Sequence, residues 1–209
     1  MWKEYTLNEV CEVQRGSSPR PIKQFTTEND GVNWIKIGDT VQGEKYVSST
    51  KEKITKEGAE KSRYVSVGDL ILTNSMSYGR PYIMATDGYI HDGWFVLRLK
   101  EFIDAEYFYH LLSSTIVQKQ FNQLAAGSVV KNISGDLVKK VIFSLPPLAE
   151  QQRIVAKLDA AFAEIDTAID SANAQINNID MLRQRILNGW IEKNASPEDY
   201  CTVQDCIDK

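Results

Sequence analysis

Residues 155–186 read VAKLDAAFAEIDTAIDSANAQINNIDMLRQRI, and apolar side chains recur in them at alternating spacings of three and four. Written as heptads, the a positions hold Val155, Phe162, Ile169, Ile176 and Arg183, and the d positions hold Leu158, Ile165, Ala172, Ile179 and Ile186. A seam kept over this many turns is typical of a coiled coil rather than of one face of a globular helix. The pattern therefore predicts one long coiled-coil-forming α-helix.

The long helix is predicted to occupy residues 146–194. Prolines suit a first helical turn, because their missing N–H is unpaired there anyway, and Glu150 complements the helix dipole. About 45 residues at ~1.5 Å each give a rod of ~65–70 Å. No other stretch of the sequence predicts a helix of similar length, so the seam requires self-association or a partner helix. The alternative is a spacer with no specific function. Residues 195–209 are expected to be a mobile acidic tail.

Residues 1–145 hold 11 of the 12 glycines and break into short apolar runs separated by turn signals. The predicted strands are Trp34–Ile37, Tyr64–Val67, Leu70–Thr73, Pro81–Ala85 and Gly93–Leu99, and the predicted helices are Ala105–Ser113 and Thr115–Leu124. This arrangement predicts an α+β fold, in which one domain with mixed or antiparallel strands and short helices precedes the long helix.

The composition, with 43% hydrophobic and 25% charged residues, excludes a disordered or collagen-like chain. We find no apolar export signal, no run near the ~18 apolar residues of a membrane span, and too few cysteines for a disulfide framework. These features predict a cytoplasmic protein. The net charge of −4 argues against nucleic-acid binding at face value. However, residues 1–145 hold 18 Lys and Arg against 17 Asp and Glu, so the acidity lies in the helix and tail.

The catalytic motifs of several enzyme classes are missing from the sequence. It has no dinucleotide-binding glycine fingerprint, no P-loop, no Gly-x-Ser-x-Gly elbow and no acidic-x-Lys end of a nuclease motif. His91 and His110 lie 19 residues apart without a nearby cysteine, which argues against a zinc site. His91 with Asp92 fits either an acid/base pair or an ordinary turn. We therefore predict a chain that is not an enzyme and that holds no metal.

Residues 145–159, LPPLAEQQRIVAKLD, resemble the start of the spacer helix in DNA specificity subunits of type I restriction-modification systems. Further strings resemble the same family in the same order: Trp2-x4-Leu7-x-Glu9-Val10, GSSP at 16–19, WIKIGD at 34–39, VGDLIL at 67–72, YGR at 78–80, GSVV at 127–130 and Ile133-Ser134. Each short string is weak alone, but together they span roughly residues 2–190.

The resemblance implies a target recognition domain at 1–145 and a spacer and dimerisation helix at 146–194. Complete subunits of this family look like two tandem copies of domain plus helix, with the helices paired antiparallel. This chain has one copy, which implies half a subunit and favours a homodimer that reads an interrupted target. Dimerisation is predicted through the apolar a and d residues: Val155, Leu158, Phe162, Ile165, Ile169, Ile176, Ile179 and Ile186.

The implied function is a non-catalytic specificity subunit that binds double-stranded DNA and docks methyltransferase subunits and, through them, a restriction subunit. The chain itself would hold no cofactor, since S-adenosylmethionine, ATP and magnesium belong to the partner subunits. The predicted docking residues are Glu150, Gln151, Arg153 and Lys157, with capping of the helix as the competing interpretation. The alternative functions are a coiled-coil interaction adaptor or decoy without productive DNA reading, and a cryptic enzyme.

The resemblance gives no base code, so local chemistry selects the DNA-binding candidates. They lie in three irregular loops: Arg15, Ser17, Ser18, Arg20 and Lys23; then Asn74, Ser75, Ser77, Tyr78 and Arg80; then Ser128, Lys131 and Asn132. Asparagine suits adenine, arginine suits guanine and hydroxyl groups suit phosphate. An ordinary hairpin turn is the alternative for the second loop, and a helix-to-strand connection is the alternative for the third.

Two further groups of residues are open to more than one interpretation. The basic run of Lys51, Lys53, Lys56, Lys61 and Arg63 is compatible with DNA contact or with a solvated helix face. The aromatic residues Trp34, Trp94, Phe95 and Phe108 lie in predicted strands and helices, which favours core positions over base-stacking platforms.

Overall fold

The computed structural model describes residues 2–41, 43–75, 78–126 and 133–194. The strands in these residues are β1 (Lys3–Thr6), β2 (Cys11–Arg15), β3 (Thr26–Thr27), β4 (Val32–Ile35), β5 (Tyr46–Val47), β6 (Glu52–Ile54), β7 (Arg63–Val65), β8 (Leu70–Thr73), β9 (Pro81–Met84), β10 (Gly88–Ile90), β11 (Trp94–Leu99) and β12 (Ile142–Leu145). The α-helices are α1 (Leu7–Val10), α2 (Lys56–Glu60), α3 (Ala105–Ser113), α4 (Thr115–Ala126), α5 (Gly135–Val138) and α6 (Leu148–Asn194).

The predicted α+β class, with mixed strands and short helices before one long helix, is confirmed. Strand β8 and helix α3 have the predicted bounds, and the other predicted elements differ by one or two residues at one end or, for β4 and β7, at both ends. Helix α6 begins at Leu148, two residues after the predicted start. The prediction missed elements of two to five residues, such as β1 and α1, because so short a segment carries almost no periodicity.

Two five-stranded sheets form the centre of the first part of the chain. Their strand orders are β2-β11-β8-β9-β5 and β3-β6-β4-β10-β7, mostly antiparallel, with parallel pairs at β5–β9 and β4–β10. Strand β1 pairs antiparallel with β12 in a separate two-stranded sheet, with Tyr5 opposite Phe143. The beginning of the chain therefore lies beside the segment that leads into α6.

Three buried clusters form the core, and the two larger ones lie on opposite faces of the first sheet, because the side chains of each strand alternate between its faces. On one face of the first sheet, Leu70, Leu72 and Phe95 join the largest buried cluster, which includes residues of α3 and α4. On its other face, Ile71 and Val96 join a cluster with residues of the second sheet such as Ile35. The first sheet is thus covered on both faces. The aromatic residues Trp34, Trp94, Phe95 and Phe108 are all buried, which confirms that they belong to the core.

Two compact units divide the chain, and the boundary falls between Val155 and Ala156, inside α6. In the second unit the seam isoleucines 165, 169, 176, 179 and 186 are 51–70% exposed. Among the described residues, no helix is long and apolar enough to cross a membrane. The predicted tail, 195–209, lies outside the described residues.

Candidate nucleic-acid interface

The first predicted loop is held close against the turn at residues 91–93. The Gly16 N–H donates to the Trp94 carbonyl at 2.8 Å, and the Ser17 N–H donates to the Ile90 carbonyl at 3.3 Å. A Cβ at Gly16 would lie 2.0 Å from the His91 carbonyl oxygen, so glycine is required for this approach. The loop is therefore positioned by contacts with residues about 75 positions later in the sequence.

Asp92 joins the candidates of the first two loops. Its carboxylate accepts hydrogen bonds from the Ser18 hydroxyl at 2.7 Å and from Arg20 Nη2 at 3.3 Å. Its carbonyl oxygen accepts from Arg15 Nε at 3.1 Å and from Asn74 Nδ2 at 2.7 Å. The sequence relates Asp92 only to its neighbour His91, since no local signal connects it with residues 15–20. Asp92 therefore connects the first candidate loop with the second.

The charge of Asp92 is maintained by its partners. Burial raises the pKa of this carboxyl, but the hydrogen bond from Ser18 and the charge of the nearby Arg20 lower it by more, so the net shift is downward. The ionised carboxylate keeps Ser18 and Arg20 in place. The backbone of the loop is therefore fixed on both sides of Ser18, and Lys23 follows it as an exposed cation.

An open cleft of about 1040 Å³ lies beside this loop. Its lining includes three cations and two carboxylates: Arg20, Lys23, Lys36, Glu52 and Asp92. Lys36 forms an ion pair with Glu52, and the Arg20 side chain remains 79% exposed although it pairs with Asp92. Within the described part of the chain, Lys23 forms no ion pair. The cleft thus carries one excess positive charge, and two of its cations are accessible.

His91 has a structural position in the same turn. The Gly93 and Ile37 N–H groups approach its Nδ1 and Nε2 at 2.6 and 3.2 Å. The neutral ring has one unprotonated nitrogen, which accepts one of these two N–H groups, whereas a doubly protonated ring accepts neither, so the contacts favour the neutral ring. Burial lowers the pKa of His91, against the opposing effect of Asp92. These contacts favour the turn interpretation over an acid/base pair.

The second predicted loop follows β8. Asn74 is 1% exposed, and its backbone N–H donates to the Gly93 carbonyl at 2.9 Å. Tyr78 packs partly buried against the main core, Ser75 is partly buried, and Ser77 lies outside the described residues. Asn74 therefore connects loops rather than presenting an amide to a base, so its prediction as a DNA contact is corrected.

Arg80 ends this loop and lines a different cleft, of about 340 Å³, with Gly43, Glu44, Pro81, Tyr109, Ser113 and Gln118. Its backbone is held by Thr73, whose N–H donates to the Arg80 carbonyl at 3.0 Å. In the described residues, nothing accepts a hydrogen bond from its guanidinium. The two clefts share no lining residue, so the structure separates Arg80 from Arg20 and Lys23.

The third predicted loop, with Ser128, Lys131 and Asn132, lies outside the described residues. The first described residue after it, Ile133, donates its N–H to the Asn74 carbonyl at 3.0 Å. This contact places Ile133 next to the second loop. The basic run from Lys51 to Arg63 is exposed, but it is distributed over β6, α2 and β7 rather than along one helix face.

The predicted docking residues differ in their accessibility. Gln151 is 1% exposed, and its amide hydrogen-bonds to the backbone of Asp104, Phe102 and Pro146, so this side chain supports the fold and is not accessible to a partner. Arg153 pairs with Glu150 at 2.6 Å on the helix surface, and Lys157 is exposed. The described residues contain no cluster of three or more His, Cys, Asp or Glu side chains that could hold a metal ion.

Residues 1–178 match the protein family described as "Type I restriction modification DNA specificity domain". The chain is 26% identical over 202 residues to the type I restriction enzyme EcoKI specificity subunit of Escherichia coli K12, which covers 91% of this chain and 42% of the relative. It is 27% identical over 191 residues to the EcoBI specificity subunit of Escherichia coli, with 89% and 40% covered. The chain spans about two fifths of the length of these relatives.

Solved structures show the same fold. The HsdS subunit from Thermoanaerobacter tengcongensis superposes with a TM-score of 0.62 at 22% identity, covering 79% of this chain and 38% of that one. The type I restriction-modification S subunit from M. genitalium gives a TM-score of 0.54 at 14% identity, covering 93% and 47%.

Proposed function

Because the chain belongs to the type I restriction-modification DNA specificity family, we propose that it is a non-catalytic subunit that reads one half of an interrupted DNA target. It would act in the cytoplasm and dock methyltransferase subunits, which would supply S-adenosylmethionine chemistry. ATP and magnesium would serve a restriction subunit bound through them. The observation that carries the proposal is the cleft beside residues 16–24, where Asp92 hydrogen-bonds to the loop and two accessible cations, Arg20 and Lys23, line an open groove.

Arg20 and Lys23 are proposed to contact phosphate, because point charges on an open cleft attract the backbone without selecting a base. Arg80 is proposed to read a base, since it has a forked guanidinium with no described partner and lies in a small polar cleft. Ser18 and Arg15 are proposed as positioning residues, since both hydrogen-bond to Asp92. The near-zero charge of residues 1–145 implies weak, salt-sensitive binding without partner subunits.

The test is methylation of a defined sequence by the complex of this chain with its methyltransferase. Arg80→Ala should reduce discrimination at one base pair by about 1–3 kcal/mol and leave other positions unchanged. Arg20→Ala should weaken binding to all sequences and reduce the salt dependence of the binding constant. Lys100→Ala, an exposed cation directly after β11 and outside the candidate loops and the basic run, is the control. A complex without any sequence preference would contradict the proposal and favour the adaptor.

The partner of α6 is proposed to be a second copy of this chain, in antiparallel orientation. The support is the exposure of the seam isoleucines and the absence of a second long helix among the described residues. Sedimentation at micromolar concentration should give a dimer. Ile176→Asp should shift it to monomer, while Ile116→Asp, at another exposed position on α4, should not. A monomeric parent protein would contradict the proposed homodimer.

A further inference from the structure

The seam of α6 is not equally available along its length. Ile154 and Val155, at heptad positions g and a, pack against the main core of the first unit. Gln151, one heptad before Leu158 and so at position d, is buried and bonded to three backbone groups. From Ile165 onward the seam isoleucines are exposed. A partner helix therefore has access to the seam only beyond Val155.

An antiparallel pair of identical helices has a small set of registers, because an a residue of one must face a d residue of the other. Three registers keep most of the seam covered. We name them by the residue of the second copy that faces Ile169: the Ala172, the Ile179 and the Ile186 register. In the Ala172 register, Ile186 of the second copy would face Val155, and in the Ile179 register Lys193 would face it. Val155 already packs against the main core of the first unit. In the Ile186 register the second copy's helix reaches only to residue 161.

Side-chain size along the seam favours the same register. Arg183 is the one long charged residue at the predicted a and d positions, and Ala172 is the smallest residue there. Arg183 faces Leu158 in the Ala172 register and Ile165 in the Ile179 register. Only in the Ile186 register does it face Ala172, where its aliphatic stem fits over a methyl group and its guanidinium reaches water.

The charges at the e positions of the heptads also favour the Ile186 register. In an antiparallel pair the e positions of both helices flank the same side of the seam. Asp180 would face Asp159 in the Ala172 register and Asp166 in the Ile179 register, and such like-charge pairs are destabilising. In the Ile186 register Asp180 faces the neutral amide of Asn173, and Asp166 faces Leu187. No two carboxylates oppose each other there.

We infer that two copies of this chain pair antiparallel with Ile169 facing Ile186, Ile176 facing Ile179 and Ile165 facing Trp190. The inference rests on the proposed homodimer and specifies its geometry. At ~1.5 Å per residue, the two Val155 residues lie ~68 Å apart along the helix axis, compared with ~57 Å in the Ile179 register. Each heptad step thus changes the separation by ~10.5 Å, about three base pairs of DNA.

Disulfide cross-linking in the full chain tests the register. The background carries Cys201→Ser and Cys206→Ser, and the buried Cys11 is retained. One variant combines Ile169→Cys with Ile186→Cys, and its matched control combines Ile169→Cys with Ile179→Cys. The paired positions are 17 and 10 residues apart in one helix, ~25 and ~15 Å, so neither disulfide can form within a chain. All three positions are exposed, so the substitutions leave the fold intact.

Under the same glutathione buffer, the Ile169/Ile186 variant should yield about tenfold more covalent dimer than the control, because only facing residues meet disulfide geometry. An equal or greater yield from the Ile169/Ile179 variant would overturn the inferred register. Sedimentation of the background protein tests the homodimer independently of its register. A dimer with the wrong cross-link contradicts only the register, whereas a monomer contradicts the homodimer as well.

Discussion

Replacing Gln151 by alanine removes three hydrogen bonds from one buried position. Its Oε1 accepts from the Asp104 N–H at 2.9 Å, and its Nε2 donates to the Phe102 and Pro146 carbonyls at 3.1 and 3.0 Å. These bonds tie the first turn of α6 to the start of α3, where Asp104 is the N-cap residue. Alanine leaves one N–H and two carbonyl groups without this partner.

The expected loss follows from these contacts. Each hydrogen bond contributes about 1 kcal/mol net, and a buried group left without a partner costs more than the bond alone. Gln151→Ala should therefore lower the free energy of unfolding by about 3 kcal/mol. Gln152→Ala, at the neighbouring exposed position, is the matched control and should change the free energy by less than about 0.5 kcal/mol.

Urea unfolding followed by tryptophan fluorescence measures both variants, since Trp34 and Trp94 are buried in the first unit. The protein concentration must be equal throughout, because dimerisation adds to apparent stability. Hydrogen exchange adds a local measurement, since the Asp104 amide should exchange faster in Gln151→Ala. A loss below about 0.5 kcal/mol, with unchanged exchange at Asp104, would refute the structural role of Gln151.

Three further results are expected. Burial lowers the pKa of His91 from 6.5, so below that value the unfolded chain binds more protons than the folded chain, and the free energy of unfolding falls as the pH falls. Between about pH 7.5 and 5.5, urea unfolding should show a smaller loss of stability in His91→Asn than in the parent protein. Equal losses would contradict this. Gly79→Ala should lower the free energy of unfolding by about 2 kcal/mol or more, since the φ of Gly79 is +68° and a Cβ there would lie 2.3 Å from Phe121. Thermal unfolding measures the loss, and Gly38→Ala, with open space around the added Cβ, is the control. Burial raises the pKa of Cys11 to about 12, so a thiol reagent should label it only after unfolding, and rapid native labelling would count against its burial.

The sequence predicts where the candidate loops lie but not which of their side chains are exposed. Loops at 16–24 and 73–80 were identified because glycine, proline and polar residues interrupt apolar strands. Which side chains they expose was not predictable, since Ser18 and Asp92 are 74 residues apart and Arg15 and Asp92 are 77 apart. Asn74 has the chemistry of an adenine reader, yet the turn at 91–93 and Ile133 bury it.

Sequence alone determined the long helix, its heptad seam and the α+β character of residues 1–145, because periodicity is a local property of consecutive residues. It also supplied the motifs from 145 to 159 that identify the family. Only the tertiary structure decided that Asp92 gathers Arg15, Ser18 and Arg20, and that Gln151 faces inward. The physical reason is desolvation: whether a polar side chain binds a partner or supports the fold depends on which distant segments cover it.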